Sequence, residues 1–368
     1  MKILLFDNSS LTPKDGDYCC EPKTGLFAKE LVNLGFNITM YGQKVNAVDT
    51  VHTFKLNENG VKIAGLRRSK NKLLNYILLY LRAIPEIIKS DFVYIFYPNA
   101  FKYIAILCIL FRKKYGLYIR GEQNLNDKAS QLIFKKAFTV FTVSDKFTQF
   151  VNKIVNKEVA NTIRPMIPFT EKDIIRDRDY NLNDKFNILF LGRITFDKGI
   201  EELLNAVKIL KDKNYQFNLT LVGSGEFLKS AKQITDKFNL NDIVFFVGSE
   251  FEPKKVKKYY IDSDIYILPT YHEGFPRTLY EAMMFGTPII TTFVGGIPTL
   301  MKDGFNCKEI KPKSVESIVE GLEFAMNNYS KMIEYSQNST KTVEKVVDSK
   351  RPTHAQHLSI KLNDTTTN

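Results

Sequence analysis

Asn187-Ile188-Leu189-Phe190-Leu191-Gly192-Arg193-Ile194-Thr195-Phe196-Asp197-Lys198-Gly199 opens the second half of this chain, and an amphipathic stretch, Ile200–Lys211, follows at once. The apolar run ending in glycine is the pattern of a buried strand, and the stretch after it is helical. One strand, a turn carrying two cations, and a helix make a βα unit. Downstream the rhythm repeats. Further strands are expected at Asn218–Val222, Ile243–Val247, Asp264–Leu268 and Pro288–Thr291. Helices are expected over Glu226–Phe238, Lys254–Ile261, Thr278–Phe285 and Val315–Met326. Five strands with helices between them imply a parallel, doubly wound sheet.

Working upstream, the first half carries the same alternation. Strands are expected at Lys2–Phe6, Asn37–Tyr41, Phe92–Tyr97, Leu117–Arg120 and Phe138–Ser144, and helices at Gly25–Leu34, Leu73–Ile88 and Ala100–Phe111. Between the halves, Pro165, Pro168 and the charged run Glu171–Asp179 show no period and read as a linker. The expected organisation is two Rossmann-like domains, residues 1–165 and 186–330, joined by a linker, 166–185, and followed by a polar tail, 331–368, with little to bury. A length of 368 residues fits two domains. In open α/β sheets ligands bind beyond the carboxyl ends of the strands, so the loops there are where the chemistry is expected.

Composition narrows the function classes. Apolar residues are 44% and charged residues 25%, ordinary for a globular protein. Cys19, Cys20, Cys108 and Cys307 have no chelating or redox spacing and read as free thiols of a reducing compartment. The apolar run at the N-terminus falls short of the roughly 7–15 residues of a signal peptide. The longest apolar stretch, Ala100–Phe111, contains Lys102 and falls short of the ~20 residues of a membrane span. A cytoplasmic location is expected, or attachment to the inner face of the plasma membrane. The net charge of +12 favours an anionic partner. No nucleic-acid-binding signature accompanies the short clusters Arg112–Lys114 and Lys254–Lys258, so nucleic acid is not the expected partner.

Four turns after strands carry the candidate residues. In the first, Arg193 offers a planar fork of donors and Lys198 a point charge at a helix start, a combination suited to a diphosphate. A surface turn with solvated charges is the competing reading. Gly223-Ser224-Gly225 resembles a dinucleotide fingerprint, but Leu228 stands where its third glycine would be; tight turning explains it better. In Tyr271-His272-Glu273-Gly274-Phe275-Pro276-Arg277-Thr278-Leu279-Tyr280-Glu281, Gly274 permits close backbone approach and Pro276 suits a helix start. Glu273 falls before that helix and Glu281 inside it. Both are acceptors for sugar or ribose hydroxyls. A glycosidase pair, or one helix-start carboxylate plus a solvated one, are the alternatives. The fourth turn is Gly295-Gly296-Ile297-Pro298. In the first half, Gly25 opens the first helix, either facing a ligand or making a plain turn. No metal-ligand spacing and no Ser/His/Asp arrangement is found.

Together these segments resemble the retaining nucleotide-sugar glycosyltransferases of the GT-B fold, the family 4 type (glycosyl transferases group 1). The resemblance is strong from about Asn187 to Met326 and rests on Gly192-Arg193 with Lys198-Gly199, Gly223-Ser224-Gly225, Glu273 and Glu281 eight positions apart, and Gly295-Gly296-Ile297-Pro298 followed by Asp303-Gly304. It implies an α/β GT-B fold, two Rossmann-like doubly wound domains facing across a cleft. It implies that Arg193 and Lys198 bind the donor diphosphate and act in catalysis with Glu273, which contacts the donor sugar. Glu281 would hold the ribose diol, with Gly25, Gly274, Phe275, Pro276 and Thr278 completing the donor site. The implied reaction moves a hexose, with retention and with neither metal nor cofactor, from a nucleotide-diphosphate sugar to a lipid-linked oligosaccharide acceptor in bacterial surface polysaccharide synthesis, such as capsule or O-antigen. A GT-B-like nucleotide-sugar epimerase, a basic nucleic-acid-binding protein and an inactive nucleotide-binding scaffold are the rivals. The chain departs from the family at Thr299, where an acidic residue often stands, and at Arg120-Gly121, which replaces a histidine-containing segment. The segments Tyr76–Ile88 and Ala100–Lys114, apolar with Lys and Arg at their flanks, fit either the core or an anionic membrane surface.

Overall fold

Ile3 to Phe6 alternate between two apolar cores, Leu4 and Phe6 on one side of their strand and Ile3 and Leu5 on the other. A period of two with both faces buried is what a central parallel strand requires. In the computed structural model, residues 1–45, 52–69, 71–98, 101–119, 125–163, 167–180, 185–274, 276–348 and 351–364 are described. They form two units, Met1–Met166 with Arg351–Asn368, and Ile167–Lys350.

The first unit runs β1 (Lys2–Lys14), β2 (Asp17–Cys20), α1 (Pro22–Asn33), β3 (Asn37–Lys44), β4 (Phe54–Lys55), β5 (Lys62–Arg67), α2 (Lys72–Lys89), β6 (Phe92–Tyr97), α3 (Ile104–Leu110), β7 (Tyr115–Ile119), α4 (Lys128–Lys136), β8 (Thr139–Thr142), α5 (Asp145–Val155) and β9 (Ala160–Thr162). Seven strands pair in parallel in the order β5-β3-β1-β6-β7-β8-β9, and β2 and β4 add a small antiparallel annex at the far end of β1. Residues of α2, α3, α4 and α5 pack on one face of the sheet, and those of α1 on the other.

The second unit runs β10 (Phe186–Leu191), α6 (Ile200–Asp212), β11 (Phe217–Val222), α7 (Leu228–Lys237), β12 (Val244–Gly248), α8 (Pro253–Ile261), β13 (Ile265–Leu268), α9 (Arg277–Met284), β14 (Ile289–Thr292), β15 (Lys308–Ile310), α10 (Val315–Asn327) and α11 (Tyr329–Val347). Its six strands are all parallel in the order β12-β11-β10-β13-β14-β15. The chain starts at β10, builds outward to β12, then returns to the other side of β10 with β13. That reversal makes the gap between β10 and β13 the switch point, where a doubly wound sheet opens a crevice beyond its carboxyl ends.

Three expectations change. The polar residues after Asn328 form α11 and then α12 (His354–Asn363), whereas a tail with little to bury was expected. In α11 the buried positions include Ser336, Ser339 and Thr340, which hide the stripe in the sequence. Helix α12 returns to the first unit and packs on α1, placing Ala355, Leu358 and Leu362 in the core beside Phe27 and Leu31. The stretch read as linker also changes, because Ile167–Tyr180 belongs to the second unit, with Phe169 and Ile174 in its core. The edge strands β5 and β15 were not foreseen, because Lys62-Ile-Ala-Gly-Leu-Arg67 and Lys308-Glu-Ile310 are too short or too charged to read as buried runs.

Candidate functional site in the second unit

The loops that leave β10 and β13 meet at the switch point, and backbone contacts hold them there. The Tyr271 N–H donates to the Asp197 carbonyl at 2.8 Å, and the Thr270 hydroxyl donates to the same oxygen at 3.3 Å. The Ile194 N–H donates to the Ser224 carbonyl at 2.9 Å, tying in the loop after β11. From β14, the Thr292 hydroxyl donates to the Thr270 carbonyl at 2.7 Å. Such close approach requires glycine. A Cβ on Gly223 would stand 1.8 Å from the Gly192 carbonyl oxygen, and one on Gly295, whose φ is +59°, 1.6 Å from that of Glu273. Gly223-Ser224-Gly225 is therefore a loop-packing device, in keeping with the tight-turn reading.

Into this frame the sequence places opposite charges from different loops. Lys198 comes from the β10 loop and is 5% exposed. Its ammonium hydrogen-bonds the Glu273 carboxylate from the β13 loop, lies 3.4 Å from the Thr270 hydroxyl and 3.6 Å from the Asp197 carboxylate. Burying an ammonium is costly without a partner, and the Glu273 and Asp197 carboxylates offset that cost for Lys198. Burial would raise the Asp197 carboxyl, but the Thr195 hydroxyl at 2.5 Å and the charges of Lys198 and Arg193 outweigh it and hold it below the usual carboxylate range. Arg193 itself is exposed, at the mouth of the same loop.

Helix α9 supplies the remaining groups. Pro276 is its N-cap, and no side chain caps its first turn. The Thr278 hydroxyl accepts from the Tyr266 phenol at 2.7 Å. Glu281 is 4% exposed, and its carboxylate accepts from the Tyr260 phenol at 3.1 Å. Burial and then the Glu281 charge push the Tyr260 phenol far above its ordinary range, so it remains a donor. Thus Lys198, Glu273, Gly274, Pro276, Thr278 and Glu281 lie on the two adjoining loops and the first turns of α9, with Arg193 beside them. Phe275 lies outside the described residues, as do Arg120 and Gly121. His272 is exposed in the same loop.

Gly25 sits in the first unit, within the first turn of α1, under the Phe54 ring; a Cβ there would come within 2.2 Å of that ring. Its packing against Phe54 accounts for glycine at that position. Tyr260, Tyr266 and Thr270 were not singled out in the sequence. The only signal for Tyr266 was one polar-tipped side chain inside an otherwise aliphatic buried strand. Among the described residues there is no group of three or more His, Cys, Asp or Glu that could hold a metal ion.

Residues 171–342 match the family profile described as Glycosyl transferases group 1. An uncharacterised glycosyltransferase of Methanocaldococcus jannaschii is 30% identical over 214 residues, covering 55% of this chain and 54% of that protein. The capsular polysaccharide biosynthesis glycosyltransferase CapM of Staphylococcus aureus is 31% identical over 164 residues, covering 44% of this chain and 42% of its own length. The chain thus spans about half the length of the curated relatives it matches. Among solved structures, HepE of Anabaena in complex with UDP superposes with a TM-score of 0.69 at 16% identity, covering 100% of both chains. Sucrose-phosphate synthase of Thermosynechococcus elongatus gives 0.72 at 17% identity, covering 100% of this chain and 99% of its own. The architecture of two Rossmann-like units is the GT-B fold.

Proposed function

We propose that this chain is a retaining glycosyltransferase that moves a hexose from a nucleotide-diphosphate sugar to a lipid-linked glycan acceptor, in the synthesis of a bacterial surface polysaccharide. One observation carries the reading: Lys198 and Glu273 meet at the switch point of the second unit, with Glu281 buried in the adjoining helix. The relatives' roles support it. CapM is a capsular polysaccharide glycosyltransferase, AmsK of Erwinia amylovora serves amylovoran synthesis, and HepE has been solved with UDP-glucose.

In this reading Glu281 accepts hydrogen bonds from the ribose diol, and Tyr260 holds its carboxylate in position. The open first turn of α9 and the cations Arg193 and Lys198 face the diphosphate. Gly274 and Pro276 lie along the donor sugar, with Thr278 at the start of the helix; Phe275 and Gly25 enter as donor contacts through the family resemblance alone. Glu273 takes the sugar's hydroxyls while keeping Lys198 in place.

When transfer occurs, the bond from the anomeric carbon to the phosphate oxygen breaks, and a bond from that carbon to the acceptor oxygen forms on the same face. The acceptor proton passes to the departing phosphate. Arg193 and Lys198 offset the charge that grows on the leaving group; preorganised donors of this kind are worth about 2.7–4 kcal/mol each. No divalent ion is needed for that charge, so activity is expected to survive a chelator. The donor is found by screening UDP-, GDP- and ADP-sugars for thermal stabilisation, since a ligand at about 100 times its dissociation constant adds ~2.7 kcal/mol. The anomeric configuration of the product, read by NMR with the donor so found, is expected to match the donor's. An inverted product would refute retention, and stabilisation by none of the donors would refute the donor site.

A further inference from the structure

Helix α2 is buried along one stripe only. Asn75, Leu79, Ala83 and Ile87, four residues apart, face the core, and the Asn75 side chain accepts from the Ser69 N–H at 3.0 Å. At 100° per residue the opposite side carries Leu73, Leu74, Ile77, Leu81 and Ile88, all exposed, with Leu73 at 73%. Arg82 and Lys89 fall along one margin of that face rather than within it. Helix α3 lies beside α2 and continues the surface with Tyr103, Ile106 and Leu110, the last 71% exposed. A solvated helix ordinarily keeps its outer face polar, and an apolar surface of this extent marks something that covers it.

The charges around the patch identify the cover. Arg67 and Arg68 are exposed immediately before α2, and Arg82 and Lys89 are exposed along it. Lys113 donates to the Ile88 and Ser90 carbonyls at 2.7 and 2.9 Å, which sets its charge at the carboxyl end of α2. Arg112, also exposed, follows α3. Glu86 is the one acid of α2, and it lies toward the buried side, 3.5 Å from Lys89. Two copies meeting through this face would set these cations against themselves, on a chain already at +12. A bilayer with anionic headgroups accepts both features at once: apolar side chains enter the acyl boundary while Lys and Arg stay among the phosphates. No helix among the described residues is long and apolar enough to cross a membrane, so α2 would lie in the plane of the surface.

We propose that the outer face of α2 and α3 docks this protein on an anionic bilayer, with Leu74, Ile77 and Leu81 below the headgroups and Arg82 and Lys89 among them. The chain contains no tryptophan, so Leu81→Trp provides a single reporter at an exposed position. The full chain is floated with vesicles of phosphatidylcholine alone or mixed with phosphatidylglycerol. The docked surface predicts flotation with the mixed vesicles, and a blue-shifted indole that is quenched by lipids brominated on their chains. Leu74→Ser with Ile77→Ser and Leu81→Ser, and separately Arg82→Glu with Lys89→Glu, are expected to cut binding about tenfold or more without lowering the melting temperature. Three results would overturn the proposal: no flotation with anionic vesicles, flotation with the indole left in water, or a dimer in sedimentation that the serine variant abolishes while vesicle binding is unchanged.

Discussion

Lys198 and Glu273 are 75 positions apart in the sequence, and each alone reads as an ordinary surface residue. Their pairing follows from the order of the strands, because β10 and β13 become neighbours only when the sheet reverses direction. Their ion pair also offsets the cost of burying the Lys198 side chain before any ligand arrives. For Lys198→Ala we expect a fall in turnover of about 10²–10³ with a smaller change in donor affinity, since the lost cation matters most as charge develops on the leaving phosphate. Steady-state kinetics beside calorimetric donor binding separates the two, and a fall in affinity with turnover intact would place Lys198 in ground-state binding only. The tyrosines beneath the site were not legible in the sequence for a physical reason. A buried phenol counts as apolar in any periodicity, and its role depends on where its hydroxyl ends, at Glu281 for Tyr260 and at Thr278 for Tyr266.

At the scale of elements, the strands that the sequence revealed are apolar runs, most of them buried on both faces as Phe92–Tyr97 is, with the edge strand β12 the exception, since its Phe245 and Val247 are exposed. Of the strands it missed, β5, β9 and β15 lie at sheet edges and β2 and β4 form the small annex, where a charged or short segment is sufficient. The segment after residue 166 was misread because its stabilising residue is an arginine. Arg178 is half-buried and donates to the carbonyls of Tyr260, Ile261, Ser263 and Phe285 and to the Thr287 hydroxyl, at 2.5–3.1 Å. It thereby satisfies the carboxyl ends of α8 and α9, which otherwise leave unpaired acceptors. Hydrogen bonds to a charged donor are worth roughly 1.5–3 kcal/mol each. Arg178→Met keeps much of the volume, and we expect it to destabilise the chain by about 3 kcal/mol or more in urea unfolding. A loss below about 1 kcal/mol would mean that water satisfies those carbonyls.

At the scale of the whole molecule, the last helix is the part that sequence reading did not foresee. Thr353 and Gln356 form a capping box, and His354 enters a ring of Phe27, Tyr94, Phe96, Tyr118 and Phe141, with Nε2 2.5 Å from the Tyr94 hydroxyl. A chain ending at Lys350 would leave that aromatic face open and remove Leu358 and Leu362 from the core. We expect such a truncation to lose about 3 kcal/mol or more and to melt lower or precipitate; an unchanged melting curve would show that α12 adds nothing to the first unit. The parallel sheets, the switch point and the loops after the strands were legible because apolar runs, glycines and charges mark them directly. The partner of a polar helix lies far away in the chain and leaves no such mark. Donor binding in the second unit underlies every step of the proposed transfer, and calorimetry of nucleoside diphosphates with the wild-type chain and with Glu281→Ala tests it most directly. One of UDP, GDP or ADP is expected to bind, and the substitution to weaken that binding at least about tenfold, the loss of a charged hydrogen bond; absence of binding by all three, or equal affinity in the variant, would refute the donor site.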